Sequence, residues 1–244
     1  MIAQDSISTL PRVADAPIER DFGDWVHLFA FGAIGWPWLA KSLYGGRKAD
    51  KAALLKRLCL PCDALPNLGS WKADTGLLNL IVDVIGEQQP QTVVELGSGA
   101  STLVAARALA LAGHGGRLVS YDHHADFVAS TMSWLKDHGV EADVRAAPLA
   151  SASGRWDDLW YDLTSVPESI DLLLIDGPPW AVNPFIRGKA DCLFDRMAPG
   201  GIVILDDAAR PGERLVARRW REDWPAAQWD YLGGIKGTLM GRWP

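Results

Sequence analysis

Two glycines follow an apolar run and an acidic residue in the stretch VVELGSGAST, which spans residues 93–102. β-Branched residues followed by a glycine-rich turn are typical of a strand that turns sharply into a helix. A unit of this kind holds a nucleotide ligand in many α/β proteins. Which ligand it holds depends on the residues of the turn.

The turn lacks the residues that phosphate ligands need. Dinucleotide binding requires G-x-G-x-x-G, and Thr102 stands where the third glycine belongs. A phosphate-binding loop requires a lysine after its last glycine, and none follows Gly99. Glu95 repels a pyrophosphate but accepts hydrogen bonds from an ammonium or hydroxyls, and the helix start at Ser101 favours a carboxylate. S-adenosylmethionine carries an ammonium, a carboxylate and a ribose, and fits this mixture.

A second acidic residue follows the next predicted strand. In LVSYDHH, Asp122 comes directly after the apolar run. A carboxylate at this place accepts hydrogen bonds from both hydroxyls of an unphosphorylated ribose. The structural alternative is that Asp122 caps the next helix.

These residues resemble a known family. Three motifs resemble, in kind and order, those of class I S-adenosylmethionine-dependent methyltransferases. They are the segment Glu95-Leu-Gly-Ser-Gly-Ala-Ser-Thr102, then Asp122, then Ile175-Asp-Gly-Pro-Pro179. The resemblance covers about residues 70–244 and implies a seven-stranded sheet whose last strand is antiparallel.

The resemblance also implies cofactor contacts. Gly97, Ser98 and Gly99 would pass under the methionine part, and Asp122 would hold the ribose. His123 and the loop near Ala147 would lie by the adenine, and Trp71 would close over the cofactor. With the turn residues argued above, the predicted cofactor residues are Trp71, Glu95, Gly97, Ser98, Gly99, Ser101, Thr102, Asp122, His123 and Asp176.

Three further acids follow the two most apolar predicted strands. Asp176 comes after one strand, and the pair Asp206-Asp207 comes after the next. Converging carboxylates suit Mg²⁺ or another divalent cation, which lowers the pKa of an attacking hydroxyl. The arrangement is similar to the metal-dependent catechol and macrocin O-methyltransferases, although Pro179 stands where the catechol type has a lysine base.

Other roles for these acids stay open. Asp176, Asp206 and Asp207 are the predicted metal ligands, and Asp176 and Asp207 are the predicted catalytic residues. The alternatives are a purely structural role, in helix capping or loop support, and direct action as a base. Arg187 and Arg210 form either an anion-binding side of the pocket or surface ion pairs.

Strands alternate with helices from residue 92 onward. Predicted strands are 92–96, 117–121, 142–146, 171–175 and 201–205, and predicted helices are 101–112, 125–138, 184–197 and 213–220. The end of the chain, QWDYLGGIKGTLMGRW, is typical of a β-hairpin. The predicted fold class is therefore α/β, a doubly wound and mostly parallel sheet.

Composition limits the setting in which the protein works. The 244 residues carry a net charge of −6, which disfavours nucleic acid as a partner.

Residues 1–70 are predicted to form an arm and a helical cap, and 71–244 the ligand-binding domain. The apolar stretch 28–36 is shorter than the roughly 20 residues of a bilayer span, so no integral membrane segment is expected. No signal peptide is evident either, so the cytoplasm is predicted; a homodimer stays open.

The predicted function is methyl transfer from S-adenosylmethionine to a small molecule, with a hydroxyl oxygen favoured as the acceptor and a divalent metal as a candidate assistant. Three alternatives stay open. They are a metal-independent N- or C-methyltransferase, a nicotinamide oxidoreductase and a non-catalytic module that binds the adenosyl ligand.

Overall fold

The computed structural model of the chain describes residues 43–65, 68–69, 73–152 and 158–244. Most of the predicted N-terminal cap and Trp71 lie outside these residues. The α-helices are α1 (Lys48–Arg57), α2 (Thr75–Gln88), α3 (Ala100–Ala112), α4 (Ala125–Asp137) and α5 (Pro211–Asp223). The strands are β1 (Thr92–Leu96), β2 (Arg117–Asp122), β3 (Asp143–Ala146), β4 (Leu149–Ala152), β5 (Asp158–Tyr161), β6 (Ile170–Ile175), β7 (Met197–Leu205), β8 (Gln228–Leu232) and β9 (Thr238–Arg242).

Seven strands form one sheet in the order β3-β2-β1-β6-β7-β9-β8. Strands β3, β2, β1, β6 and β7 are parallel, and β9 is antiparallel to both β7 and β8. In the register, Val94 pairs with Val119 on one side and Leu173 on the other. The predicted seven-stranded, mostly parallel sheet with an antiparallel last strand is confirmed.

The central strands are buried on both faces, which explains their nearly continuous apolar sequences. Successive side chains point to opposite faces, so Val93 joins one hydrophobic cluster and Val94 the other. Helices α1 to α4 cover the first face, and α5 and the aromatic residues of the C-terminal hairpin cover the second. The parallel strands therefore end at one edge, where the turns after β1, β2, β6 and β7 meet.

Two regions differ from the sequence prediction. The segment predicted as a helix over 184–197 is a 3₁₀ helix over Ile186–Arg196 that leads directly into β7. Its Gly188 lowers the helix propensity. The aromatic segment that follows β3 contributes an unpredicted antiparallel hairpin, in which Leu149 of β4 pairs with Tyr161 of β5.

The described part of the predicted cap packs on the sheet domain. Leu54 and Leu55 of α1 belong to the same hydrophobic cluster as α2 and α3. Arg107 Nε donates to Leu58 O at 2.9 Å, and Trp134 Nε1 donates to Ala64 O at 3.0 Å. The boundary at residue 70 stays a prediction, but residues 54–65 share their core with the sheet. Within the described residues, none of the helices is both long and apolar enough to cross a bilayer.

Candidate active site

The glycine turn after β1 lies directly against the turn after β6. Gly97 has φ 96°, in the left-handed region that favours glycine. A Cβ at Gly97 would come within 2.7 Å of Gly177 N. The backbone N–H groups of Asp176 and Gly177 both donate to Leu96 O, at 2.9 and 2.7 Å. The two turns therefore form one continuous floor at the carboxyl edge of the sheet.

Asp122 ends β2 and faces the same turn. Its Oδ2 accepts from Ser98 N at 2.8 Å and from Ser98 Oγ at 3.1 Å, and its Oδ1 accepts from His124 N at 2.9 Å. Burial alone would raise the pKa of Asp122, but the hydrogen bonds from His123, His124 and Ser98 outweigh it and hold the pKa below its usual value. Asp122 is therefore an ionised acceptor with lone pairs left for a ligand.

Glu95 lies beneath the turn and is fully buried. It accepts hydrogen bonds from Thr102 Oγ1 and Ser120 Oγ, both at 2.6 Å, and Thr102 Oγ1 in turn accepts from Gly99 N at 2.8 Å. Burial raises the pKa of Glu95 to about 7. The hydroxyls that donate to Glu95 therefore come from the protein and not from a ligand, and Glu95 supports the turn from below. Ser101 is also buried, at 3% exposure.

A cavity of about 390 Å³ lies above this floor. One side of its wall comes from the turns after β1 and β2, with Gly97, Ser98, Asp122, His123, His124 and Phe127. The other side comes from β5 and the segments after β6 and β7, and includes Tyr161, Asp176, Trp180, Arg187, Asp207 and Arg210. The cavity therefore joins the predicted cofactor residues Gly97, Ser98, Asp122 and His123 to two of the predicted acids. A wider groove of about 1220 Å³ at the β3 edge is lined by none of the predicted site residues.

The three acids predicted to converge do so. Asp176, Asp206 and Asp207 each place one carboxylate oxygen within 4.8 Å of the others. Asp206 and Asp207 are buried, whereas the side chain of Asp176 keeps 22% of its surface exposed. The convergence follows from the register, because Ile175 pairs with Leu205 and both strands end at the same level.

Cations of the chain itself lie among these carboxylates. Arg187 places Nη1 at 3.3 Å from Asp207 Oδ2 and Nη2 at 3.4 Å from Asp176 Oδ1. It also donates to the backbone oxygens of Asp176, Pro178 and Asp206. Burial disfavours its charge, but Asp207, Asp176 and further acids outweigh it and raise its pKa. Arg187 therefore ties the segments after β6 and β7 together.

Lys236 supplies a second internal cation, from the loop between β8 and β9. Its Nζ lies 3.4 Å from Asp206 Oδ2 and 3.4 Å from Asp207 Oδ1. The loop is held there because Ala209 N donates to Lys236 O at 2.9 Å. Burial opposes the Lys236 charge, but both aspartates raise its pKa. Lys236 was missed at the sequence level, since a lone lysine in a glycine-rich loop is normally exposed.

The two aspartates of the pair differ electrostatically. Burial and the neighbouring charge of Asp207 raise the pKa of Asp206 to about 8. Burial also opposes ionisation of Asp207, but Arg187, Lys236 and Arg210 outweigh it and lower its pKa. The Nη2 of Arg210 lies only 2.8 Å from Asp207 Oδ2. Asp207 is thus an ionised anchor for three cations.

Comparisons with known proteins agree with this geometry. Residues 94–208 match the model of a methyltransferase domain family. The fold resembles an O-methyltransferase from Bacillus cereus in complex with SAH, at 18% identity, with a TM-score of 0.54 over 80% of this chain and 91% of that chain. It also resembles O-methyltransferase TomG from Streptomyces achromogenes in complex with SAM, at 20% identity, with a TM-score of 0.51 over 81% and 89% of the two chains.

SAH-bound methyltransferase PaMTH1 from Podospora anserina is similar over 94% of this chain and 98% of its own, at 14% identity and a TM-score of 0.55. No curated protein matches the chain. The family match places a methyltransferase domain within residues 94–208, and the solved structures share the fold of this chain. The match agrees with the class I S-adenosylmethionine-dependent methyltransferase family that the sequence resembles.

Proposed function

We propose that the protein transfers the methyl group of S-adenosylmethionine to a hydroxyl oxygen of a small molecule, in the cavity at the carboxyl edge of the sheet. One observation carries the proposal. Asp122, held by Ser98, and the partly exposed Asp176 face the same 390 Å³ cavity. This volume is in the usual range of small-molecule sites, about 300–1,000 Å³. Two of the solved structures named above are O-methyltransferases, which agrees with an oxygen acceptor.

The cofactor is assigned to the side of the cavity formed by β1 and β2. Asp122 accepts from the ribose hydroxyls with its remaining lone pairs, and the turn at Gly97 and Ser98 lets the ligand approach the backbone closely. His123, His124 and Phe127 offer ring surfaces for the adenine. Glu95 and Thr102 support the turn from below, because their side chains are buried there. The start of the helix at Ser101 offers backbone N–H groups to the ligand carboxylate.

A divalent cation does not fit the carboxylate cluster. Each of the three acids already faces a cation of the chain. Arg187 lies 3.4 Å from Asp176 and 3.3 Å from Asp207, and Lys236 lies 3.4 Å from both Asp206 and Asp207. A metal ion there would meet two positive groups at close range, which is strongly unfavourable in a buried site. The proposed reaction therefore has no metal step.

Asp176 is the acid best placed to contact the acceptor. The sulfonium is already an activated methyl donor, so the protein mainly aligns the acceptor oxygen and takes its proton. The Oδ1 of Asp176 faces Arg187, and the side chain is partly exposed in the cavity. Asp176 therefore orients the acceptor hydroxyl and accepts its proton. Asp207 holds Arg187 and Arg210 and acts as a positioning residue.

The test uses Asp176→Asn together with calorimetric binding of S-adenosylhomocysteine. Wild type is screened with radiolabelled S-adenosylmethionine against phenols, catechols, hydroxy acids and amines, with EDTA present throughout. We expect label transfer to a hydroxyl compound, a loss of about 100-fold or more in Asp176→Asn, and affinity for S-adenosylhomocysteine within twofold of wild type. Asp137→Asn, an exposed site on α4, is the control.

Other results would change the assignment. Transfer only to amines would assign a nitrogen acceptor instead. Cofactor binding without transfer to any acceptor would favour the non-catalytic module. The cytoplasmic location, the absence of a nucleic-acid partner and a homodimer remain predictions.

A further inference from the structure

Tyr161, the last residue of β5, lines the cavity with a buried side chain. Its residue exposure is 4%, and its Oη is buried without a hydrogen-bond partner among the described residues. The ring packs against Trp160 at a centroid distance of 5.2 Å and faces His123 at 6.3 Å. These contacts hold the ring in place, and the hydroxyl makes no hydrogen bond to the described residues.

The Tyr161 hydroxyl lies over the floor formed by the two glycine turns. A Cβ at Gly177 would come within 2.3 Å of Tyr161 Oη, and Gly177 in turn contacts Gly97. Among the charged groups that act on Tyr161, Asp122 has the largest effect, followed by Arg187 and Asp176. Tyr161 thus lines the same cavity as the carboxylate assigned to the ribose and the one assigned to the acceptor.

The hydroxyl can act only as a neutral group at physiological pH. Burial, then the charge of Asp122, raises the pKa of Tyr161 well above its usual value. A neutral phenol donates one hydrogen bond. A buried donor without an acceptor costs free energy, and a ligand that supplies the acceptor removes that cost.

We infer that Tyr161 Oη donates a hydrogen bond to a ribose oxygen of the bound cofactor. This inference rests on the cofactor site of the proposed function and adds a residue that the glycine turn and Asp122 do not supply. It gives the unpredicted β4–β5 hairpin a role, because that hairpin is the element that brings Tyr161 over the sheet edge.

The test compares Tyr161→Phe with Tyr121→Phe. The Tyr121 hydroxyl is also buried, but it donates to Thr164 O at 3.0 Å and accepts from Arg145 Nη1 at 3.1 Å. For each protein, the melting temperature without ligand and the dissociation constant for S-adenosylhomocysteine are measured in the absence of any acceptor substrate. Near-ultraviolet circular dichroism checks that both variants keep the fold.

The two variants should respond oppositely. Tyr161→Phe should melt at or above the wild-type temperature, because an unpartnered buried hydroxyl is removed, and should bind S-adenosylhomocysteine about tenfold more weakly. Tyr121→Phe should melt lower and bind within twofold of wild type. The tenfold loss should persist with 5′-methylthioadenosine, which keeps the ribose but lacks the amino acid part.

Each contrary result has a definite meaning. Equal binding of S-adenosylhomocysteine by wild type and Tyr161→Phe would overturn the inference and leave the cofactor site intact. A lower melting temperature with unchanged affinity would show that the hydroxyl bonds the protein instead, which also overturns it. A loss confined to S-adenosylhomocysteine and absent with 5′-methylthioadenosine would exclude the ribose. Failure of wild type to bind the cofactor product at all would remove the proposed function itself.

Discussion

The ammonium of Lys236 lies 3.4 Å from Asp207 Oδ1, inside the carboxylate cluster that the sequence predicted as a metal site. The same ammonium lies 3.4 Å from Asp206 Oδ2, so one buried cation forms ion pairs with both Asp206 and Asp207. With Arg187 on the other side of Asp207, the cluster supplies its own positive charge. Four predictions follow from the ion pairs and hydrogen bonds of Lys236, Arg187, Asp122 and Glu95.

The first expectation concerns metal ions. Wild type should keep its methyl-transfer rate in EDTA and give no heat with Mn²⁺, because Lys236 and Arg187 repel a cation at this place. Lys236→Met removes one positive charge, so Mn²⁺ binding measurable by calorimetry should appear. The exposed Lys136→Met is the matched control and should bind no Mn²⁺. A wild-type rate that needs Mg²⁺ and returns on its addition would contradict the proposed metal-free reaction.

Arg187→Ala should destabilise the fold strongly. It removes one of the three cations around buried Asp207 and a hydrogen-bond donor to the backbone oxygens of Pro178 and Asp206. Breaking such a buried pair costs about 3–5 kcal/mol, which urea unfolding can measure. Arg218→Ala breaks an exposed pair with Glu222 at 3.0 Å and should change stability by less than about 1 kcal/mol. Equal effects of the two substitutions would show that the cluster around Arg187 is not buried in solution.

Asp122→Asn should weaken binding of S-adenosylhomocysteine by about 10- to 100-fold, because charge-assisted hydrogen bonds to the ribose become neutral ones. Calorimetry at pH 7 measures the change, with Asp137→Asn as the control. The depressed pKa of Asp122 means that it stays ionised well below neutral pH. Protonation of Asp122 should therefore not weaken wild-type binding of S-adenosylhomocysteine above about pH 4. Unchanged affinity in Asp122→Asn would show that the ribose does not bind this carboxylate.

Glu95 should make the protein less stable as pH rises toward neutrality. Its folded-state pKa of about 7 lies above its ordinary value of 4.5, so the native state holds a proton that the unfolded state releases. The stability gained from this proton is complete below pH 4.5 and is lost as pH rises through 7, about 3 kcal/mol in all. Glu95 Oε1, which has no partner among the described residues, is the place for that proton.

Unfolding of wild type and Glu95→Gln between pH 4.5 and 8 measures this effect. Because a glutamine does not titrate, the decline attributable to Glu95 should be absent in Glu95→Gln. The contributions of Asp206 and Glu213, whose pKa values are also raised by burial, should remain in both proteins. Identical pH profiles would show that Glu95 is ionised in the folded state.

The positions of the glycine turn and of Asp122 at one edge of the sheet were predictable because their signals are local. The turn at Gly97 and the acid at Asp122 each directly follow a predicted strand, and parallel strands bring their carboxyl ends to one edge. The same reasoning predicted that Asp176, Asp206 and Asp207 converge, and their oxygens do lie within 4.8 Å of one another. The contacts of each side chain could not be predicted in this way. Glu95, for example, was expected to contact the ligand, but it accepts hydrogen bonds from Thr102 and Ser120 beneath the turn.

By itself, the sequence determined the α/β class of fold, the place of the glycine turn and the convergence of three acids, because hydrophobic periodicity and turn chemistry are properties of neighbouring residues. The seven-stranded sheet followed from the family resemblance. Only the tertiary structure decided which charges meet. Lys236 reaches Asp206 across 30 positions of the chain, because the antiparallel hairpin folds its loop back over the end of β7. Tyr161 reaches the cavity on a hairpin that no periodic pattern marked. Contacts of this kind depend on the packing of distant segments, so they follow only from the folded chain.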